Sequence, residues 1–244
     1  TGLIHNESNG IQLVSHRFEK EKQILEIKFK KAKYKIYLNL IGKIQVKNIL
    51  MAIIAANNSG IEFKKILKIL PRITSVEGRL EKIGKIHNNS KVILDYAHTP
   101  AALESALSNL KEQFPFNKIN LIFGCGGDRD FKKRSLMGKI AEKYSNEIYL
   151  TDDNPRNEKP FEIRNEIKKG IKNKRIHEIP DRKKAIQEAV KNLKTGDILL
   201  VAGKGHEKIQ DYGKKRTFFS DQKVILTSIR AKNKFLSKNI KLNI

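Results

Sequence analysis

At 244 residues and 39% hydrophobic, the chain can bury one large core or two modest ones and is too apolar to be a disordered tail. Fifty Lys and Arg against 26 Asp and Glu leave a formal charge of +24, a balance that invites nucleic acid as a partner. Thirty-nine of those fifty are lysines scattered along the whole chain, and aromatics are 7% with no tryptophan, so a solvated basic surface is favoured over a base-stacking face.

In chain order, residues 11–18 and 22–30 read as short strands. Ala32, Tyr34, Ile36, Leu38 and Leu40 then alternate with polar neighbours at the strand period of two, which predicts a meander with one wet face. Ile49, Leu50, Ile53 and Ile54 recur at helical spacing within 44–58, and the helix should stop at Asn57-Asn58-Ser59-Gly60. A second short helix fits 62–70, closed by Pro71. From residue 91 the rhythm changes. Apolar strands at 92–94, 119–123, 148–150, 176–179 and 198–201 alternate with helical stretches near 100–113, 133–145, 160–172 and 182–193, and a last helix runs over about 221–238. Such alternation predicts an α/β fold, a mostly parallel sheet covered by helices on both faces. The expected division is a thin first segment, 1–88, and a doubly wound domain, 89–244.

Ligands of such sheets sit at the carboxyl ends of the strands. Four polar clusters fall there: Asp95-Tyr96-Ala97-His98-Thr99-Pro100, Gly124-Cys125-Gly126-Gly127-Asp128-Arg129-Asp130 with Arg134 beyond, Thr151-Asp152-Asp153-Asn154-Pro155-Arg156, and Ala202-Gly203-Lys204-Gly205-His206-Glu207. Singly, each has a plain reading: Thr99-Pro100 as a helix start, Asp-Asn-Pro as a turn, Gly-Lys-Gly as a loop. Together they mark a binding rim. Gly124, Gly126 and Gly127 let the backbone approach a ligand. Arg134 and Arg156 can grip carboxylates, and Asp153 and Glu207 an ammonium group, which suits an amino acid with more than one carboxylate. Cys125 reads as packing, and as the lone cysteine it excludes an internal disulfide and a cysteine-based zinc cluster. No metal-ligand spacing and no G-x-S-x-G elbow occur, so a protein-built metal site and a serine hydrolase lack support. No apolar run nears the roughly 20 residues of a membrane span, and the first residues show no signal-peptide pattern. A soluble protein of the reducing cytoplasm is the expectation.

These four motifs, in this order and spacing, together with Gly78-Arg79, closely resemble the Mur ligases over about residues 40–230, and within them the diaminopimelate-adding members. The resemblance implies a Rossmann-like C-terminal domain that binds the incoming amino acid, preceded by the back part of the central ATPase domain. It implies ATP and Mg2+ as cofactors, and ATP contacts at Gln45, Asn48, Arg79 and Asp95. It places diaminopimelate against Arg134, Asp153, Asn154, Pro155, Arg156, Gly203 and Glu207. Gln45 stands where the family usually has Asn. His98, Asp128, Arg129 and His206 lie in matching motifs without an assigned role, and no catalytic residue is assigned. The implied reaction is ATP-driven amide formation through an acyl phosphate of a UDP-N-acetylmuramoyl dipeptide, attacked by the amine of meso-diaminopimelate. The implied protein is a monomer, with neither nucleic acid nor membrane as partner.

One departure stands out: no G-x-x-x-x-G-K-[ST] phosphate loop occurs in these 244 residues. With Thr1 rather than Met at the start, the chain is expected to be the back half of such an enzyme, inactive by itself. A lysine-adding Mur ligase, a folylpolyglutamate synthase relative and, from another class, a basic nucleic-acid-binding module are the alternatives.

Overall fold

The computed structural model describes residues 10–19, 21–173 and 175–242, which fall into two compact units divided between Ser75 and Val76. In the first unit, β1 (Ile11–Glu19), β2 (Lys22–Phe29) and β3 (Ala32–Leu38) form an antiparallel meander in that order. Helices α1 (Ile44–Asn58) and α2 (Phe63–Ile69) follow. The alternating residues Leu25, Ile27, Ile36 and Leu38 share one core with Val46, Ile49, Leu50, Ile53, Phe63 and Ile66 of the helices. Pro71 does not end the second helix from outside; it sits inside a 3-10 turn, Leu70–Arg72, where its missing N–H goes unmissed.

The second unit is built on six strands: β4 (Glu81–Lys82), β5 (Lys91–Asp95), β6 (Ile119–Phe123), β7 (Glu147–Leu150), β8 (Ile176–Glu178) and β9 (Ile198–Ala202). Their order in the sheet is β4-β5-β9-β6-β7-β8, and every pairing is parallel except β4 with β5. The crossover helices are α3 (Pro100–Gln113), α4 (Lys133–Tyr144), α5 (Pro160–Lys168) and α6 (Arg182–Asn192), with α7 (Asp221–Leu242) closing the unit. Val92, Leu94, Ile122, Tyr149, Leu199 and Val201 pack with Ile186, Ala189 and Val190 of α6 and Ile225 and Ile229 of α7. The intervening strand residues Ile93, Leu121, Ile148 and Leu200 are also buried, and by the pleat they face the other way. This is why the strands carry apolar residues without alternation.

Local signals start the helices. Thr99 Oγ1 accepts the N–H of Ala102 at the head of α3, with Pro100 in the first helical position, and Asp181 accepts that of Lys184 at the head of α6. Helix α5 ends at Lys168, short of the expected 172, and just beyond it Gly170 packs against α4 so closely that a Cβ there would overlap the Ser135 carbonyl.

Residues 76–88 belong with the second unit, thirteen residues earlier than the boundary expected at 88. Leu80, Ile83 and Ile86 are buried, β4 pairs with β5, and Asn233 of α7 bonds the backbone of Lys85 and His87. A further hairpin, β10 (Ile209–Asp211) with β11 (Arg216–Phe218), follows β9.

Candidate functional site

Strand β9 lies between β5 and β6, so the loops leaving β5 and β6 diverge around it and open a crevice at the carboxyl ends. A cavity of about 710 Å3 fills this crevice. It is lined by Tyr96 and His98 after β5, by Gly124, Gly126 and Arg129 after β6, by Asp153, Asn154 and Arg156 after β7, and by Gly203 and Glu207 after β9. Five residues expected at the amino-acid site, Asp153, Asn154, Arg156, Gly203 and Glu207, therefore share one cavity.

Asp153 is more than nine-tenths buried, and its Oδ2 has no hydrogen-bond partner. The nearest cation is the Nη1 of Arg182 at 3.9 Å, itself without a hydrogen bond. Burial pushes the Asp153 carboxyl above the usual aspartate range, against the pull of Arg182 and Lys204. Arg182 is held from behind: Nε and Nη2 donate to both oxygens of Asp221 at 2.8 and 2.7 Å, and Nη2 to the Ala202 carbonyl at 2.9 Å. Both members of that pair are fully buried.

Asn154 is fixed by two donors on its Oδ1, the Lys204 ammonium at 2.9 Å and the Asp211 N–H at 3.0 Å. Its Nδ2 consequently donates to Glu207 Oε2 at 3.1 Å, an oxygen that also meets Lys204 Nζ at 3.2 Å. Arg156 has left-handed backbone, φ 53°, which returns its side chain toward the β6 loop. Among the described residues its one side-chain hydrogen bond runs from Nη1 to the Gly127 carbonyl, 2.7 Å. Tyr96 stands beside Glu207, and burial first, then that carboxylate, raises its phenol.

Other expected residues lie elsewhere. Arg134 does not line the cavity: it is 1% exposed, and its fork is taken by both oxygens of Glu158, with Glu166 and the Gly126 carbonyl. Pro155 is buried, its carbonyl against Gly127. Gly127 serves loop packing rather than ligand approach, and Gly124, though it lines the cavity, is also needed for packing, since a Cβ on either would overlap the carbonyl of Pro155 or Thr151. Both oxygens of Asp95 accept backbone N–H groups, from Leu80 at 2.7 Å and Ala97 at 2.8 Å, and burial raises its carboxyl despite them. Arg79 stacks on Tyr96, 4.6 Å from the ring centroid. Gln45 and Asn48 bond one another in the first turn of α1, in the other unit. Cys125 is buried against Met137, its thiol pushed up to about 12, as packing requires.

Of the residues without an expected role, His98 and Arg129 line the cavity. Asp128, also left-handed at φ 53°, accepts the Asn157 amide and so joins two loops. His206 sits beside Tyr96. Its neighbour Gly205 meets Gly78 so closely that a Cβ on Gly78 would lie 2.5 Å from the His206 nitrogen. Lys204, Arg182 and Asp221 were not singled out from sequence; a lysine or an arginine defaults to solvent, and only their burial marks them.

The family description "Mur ligase, glutamate ligase domain" matches residues 78–205. The chain belongs to the Mur ligase family. It is similar to the UDP-N-acetylmuramoyl-L-alanyl-D-glutamate--2,6-diaminopimelate ligases of Rickettsia felis, 45% identical over 199 residues, and of Buchnera aphidicola subsp. Baizongia pistaciae, 47% identical over 195. Those matches cover 80% of this chain but only 37% and 38% of the relatives. A solved structure of a ligase of the same name superimposes with a TM-score of 0.72 at 33% identity, over 94% of this chain and 47% of that one.

Proposed function

We propose that this chain carries the amino-acid-binding part of a ligase that joins meso-diaminopimelate to UDP-N-acetylmuramoyl-L-alanyl-D-glutamate during peptidoglycan precursor synthesis. The observation that carries the reading is the convergence of Arg156, Asp153, Asn154 and Glu207 on one cavity. Asp153 and Glu207 take the ammonium of an α-amino acid, and Arg156 a carboxylate at the far end. An amine attacks an acyl phosphate only when neutral. Glu207, which lines the cavity, is placed to orient that amine as well as to bind it.

ATP and Mg2+ supply the acyl phosphate in this reaction. The residues here do not fit the phosphates: no phosphate loop occurs in the sequence, and among the described residues no three His, Cys, Asp or Glu gather to hold a metal. By the family resemblance Gln45 and Asn48 would meet the adenine, Arg79 the ATP and Asp95 its ribose, although both Asp95 oxygens already accept backbone N–H groups. In this reading the enzyme is cytoplasmic and monomeric, and its partners are the UDP-dipeptide and diaminopimelate. No helix among the described residues is long and apolar enough to cross a membrane.

Diaminopimelate and L-lysine share one α-amino acid end, so discrimination falls to Arg156. A hydrogen bond to a charged group contributes about 1.5–3 kcal/mol, which is roughly ten- to a hundredfold in affinity. Titrating both amino acids by NMR should give that ratio for the wild type and lose most of it in Arg156→Ala. Equal dissociation constants in the wild type, or an undiminished preference in the variant, would overturn the assignment.

A further inference from the structure

We propose that Lys204 is a positioning residue for the incoming amino acid, a role that rests on reading the cavity as the amino-acid site. Its side chain is fully buried, and its ammonium meets three acceptors: Asn154 Oδ1 at 2.9 Å, Glu207 Oε2 at 3.2 Å and the Ile209 carbonyl at 2.6 Å. Lysine carries three N–H donors and no acceptor, so these contacts exhaust it. It has nothing left for a ligand, and it does not line the cavity. It acts through the two residues it holds.

Those two residues come from different strand ends, Asn154 after β7 and Glu207 after β9. Lys204 ties them together and to the start of the β10–β11 hairpin, whose Asp211 N–H supplies the second donor to Asn154. With Oδ1 filled by donors, the Asn154 amide turns Nδ2 to Glu207, and Glu207 Oε2 is occupied twice. The carboxylate is held at one corner by these two donors and, with the Tyr96 hydroxyl beside it, faces the cavity where an ammonium group would sit. The backbone serves this geometry: Gly203 and Gly205, on either side of Lys204, have φ of 116° and 50°, and turn its side chain inward where a surface lysine would point out.

No neighbouring side-chain chemistry replaces it. Methionine fills the volume but takes one of two donors from Asn154 Oδ1 and from Glu207 Oε2, and the ammonium from the Ile209 carbonyl. Arginine brings a flat fork to a site shaped for a point charge. Around metal ions, groups that orient a ligating side chain typically carry about ten- to a hundredfold of affinity, and the same scale is expected of Lys204.

Lys204 acts on the end that diaminopimelate and L-lysine share, whereas Arg156 reads the end that differs. Lys204→Met should therefore raise both dissociation constants at least about tenfold and leave their ratio unchanged, with Lys204→Gln, which keeps a donor, between it and wild type. General damage to the fold would disturb Arg156 as well and move the ratio. The test is an NMR titration of the full chain with each amino acid. Should Lys204→Met fail to fold, the wild type gives a second readout: the Lys204 ammonium 15N–1H resonance must shift on adding diaminopimelate, with the midpoint seen for the backbone amides of Asn154 and Glu207. Binding by Lys204→Met within twofold of wild type overturns the proposal, as does a Lys204 resonance that stays still while those amides saturate. A wild type that binds neither amino acid defeats the amino-acid reading itself, and this inference with it.

Discussion

Arg182→Met tests whether the site is held from behind by a buried ion pair. The substitution leaves the Asp221 carboxylate, fully buried and paired through both oxygens, without its cation, and the Ala202 carbonyl without its donor. Breaking such a pair on one side costs about 3–5 kcal/mol, because the remaining charge stays buried. For a domain of this size each kcal/mol moves the melting temperature by about 2–4 °C, so the second unit should melt roughly 6–20 °C lower. Replacing both partners, Arg182→Met with Asp221→Leu, removes the stranded charge and should recover most of the loss, since an apolar pair of similar volume often matches a buried ion pair. Melts followed by circular dichroism, with NMR amide signals from β6 and β9 assigning the transition to the second unit, measure all three variants against wild type. If the single substitution melts within a degree of wild type, or the double falls as far as the single, the pair does not hold the site.

Two further outcomes follow from the same structure. Residues 76–244 should melt cooperatively alone, whereas 89–244 should be destabilised by several kcal/mol, because it lacks Leu80, Ile83 and Ile86, each worth about 1.5–3 kcal/mol when buried; urea melts of equal midpoint would refute this. Asp153 has a folded pKa above its unfolded one, so its contribution to stability is complete at acid pH and is lost as pH rises through the folded value. The melting temperature of Asp153→Asn relative to wild type should therefore climb from pH 4 to pH 7.5, and a flat difference would show that the carboxyl is not raised.

What the sequence made legible follows from how strongly each segment is constrained. The run Ile119-Asn120-Leu121-Ile122-Phe123 is apolar but for Asn120 and does not alternate, as a covered parallel strand requires, and Thr99-Pro100 marks a helix start by its own chemistry. Elements of two or three residues, β4, β10 and β11, are too short to show a period, so the unit boundary was set too late. Within the site, the residues of the Asp153-to-Arg156 turn and of the Gly203-to-Glu207 loop were readable as a rim. The engagement of Arg134 was not, because its partners Glu158 and Glu166 lie 24 and 32 residues away, and no local pattern joins them. The inward turn of Lys204 likewise depends on backbone angles that two flanking glycines permit but do not announce.

The place of β9 has a consequence for how the chain comes together. β5 and β6 share no hydrogen bonds; each reaches the other only through β9, which arrives 75 residues after β6 ends. During synthesis, everything up to residue 197 can emerge while the middle of the sheet is a slot bounded by two bare strand edges. Such edges are templates for any extended segment, and they stay open longest in a topology that closes so late. The segment Ile198-Leu199-Leu200-Val201-Ala202, the most uniformly buried in the unit, is therefore both the keystone of the sheet and the piece whose delay exposes a nascent chain to wrong partners.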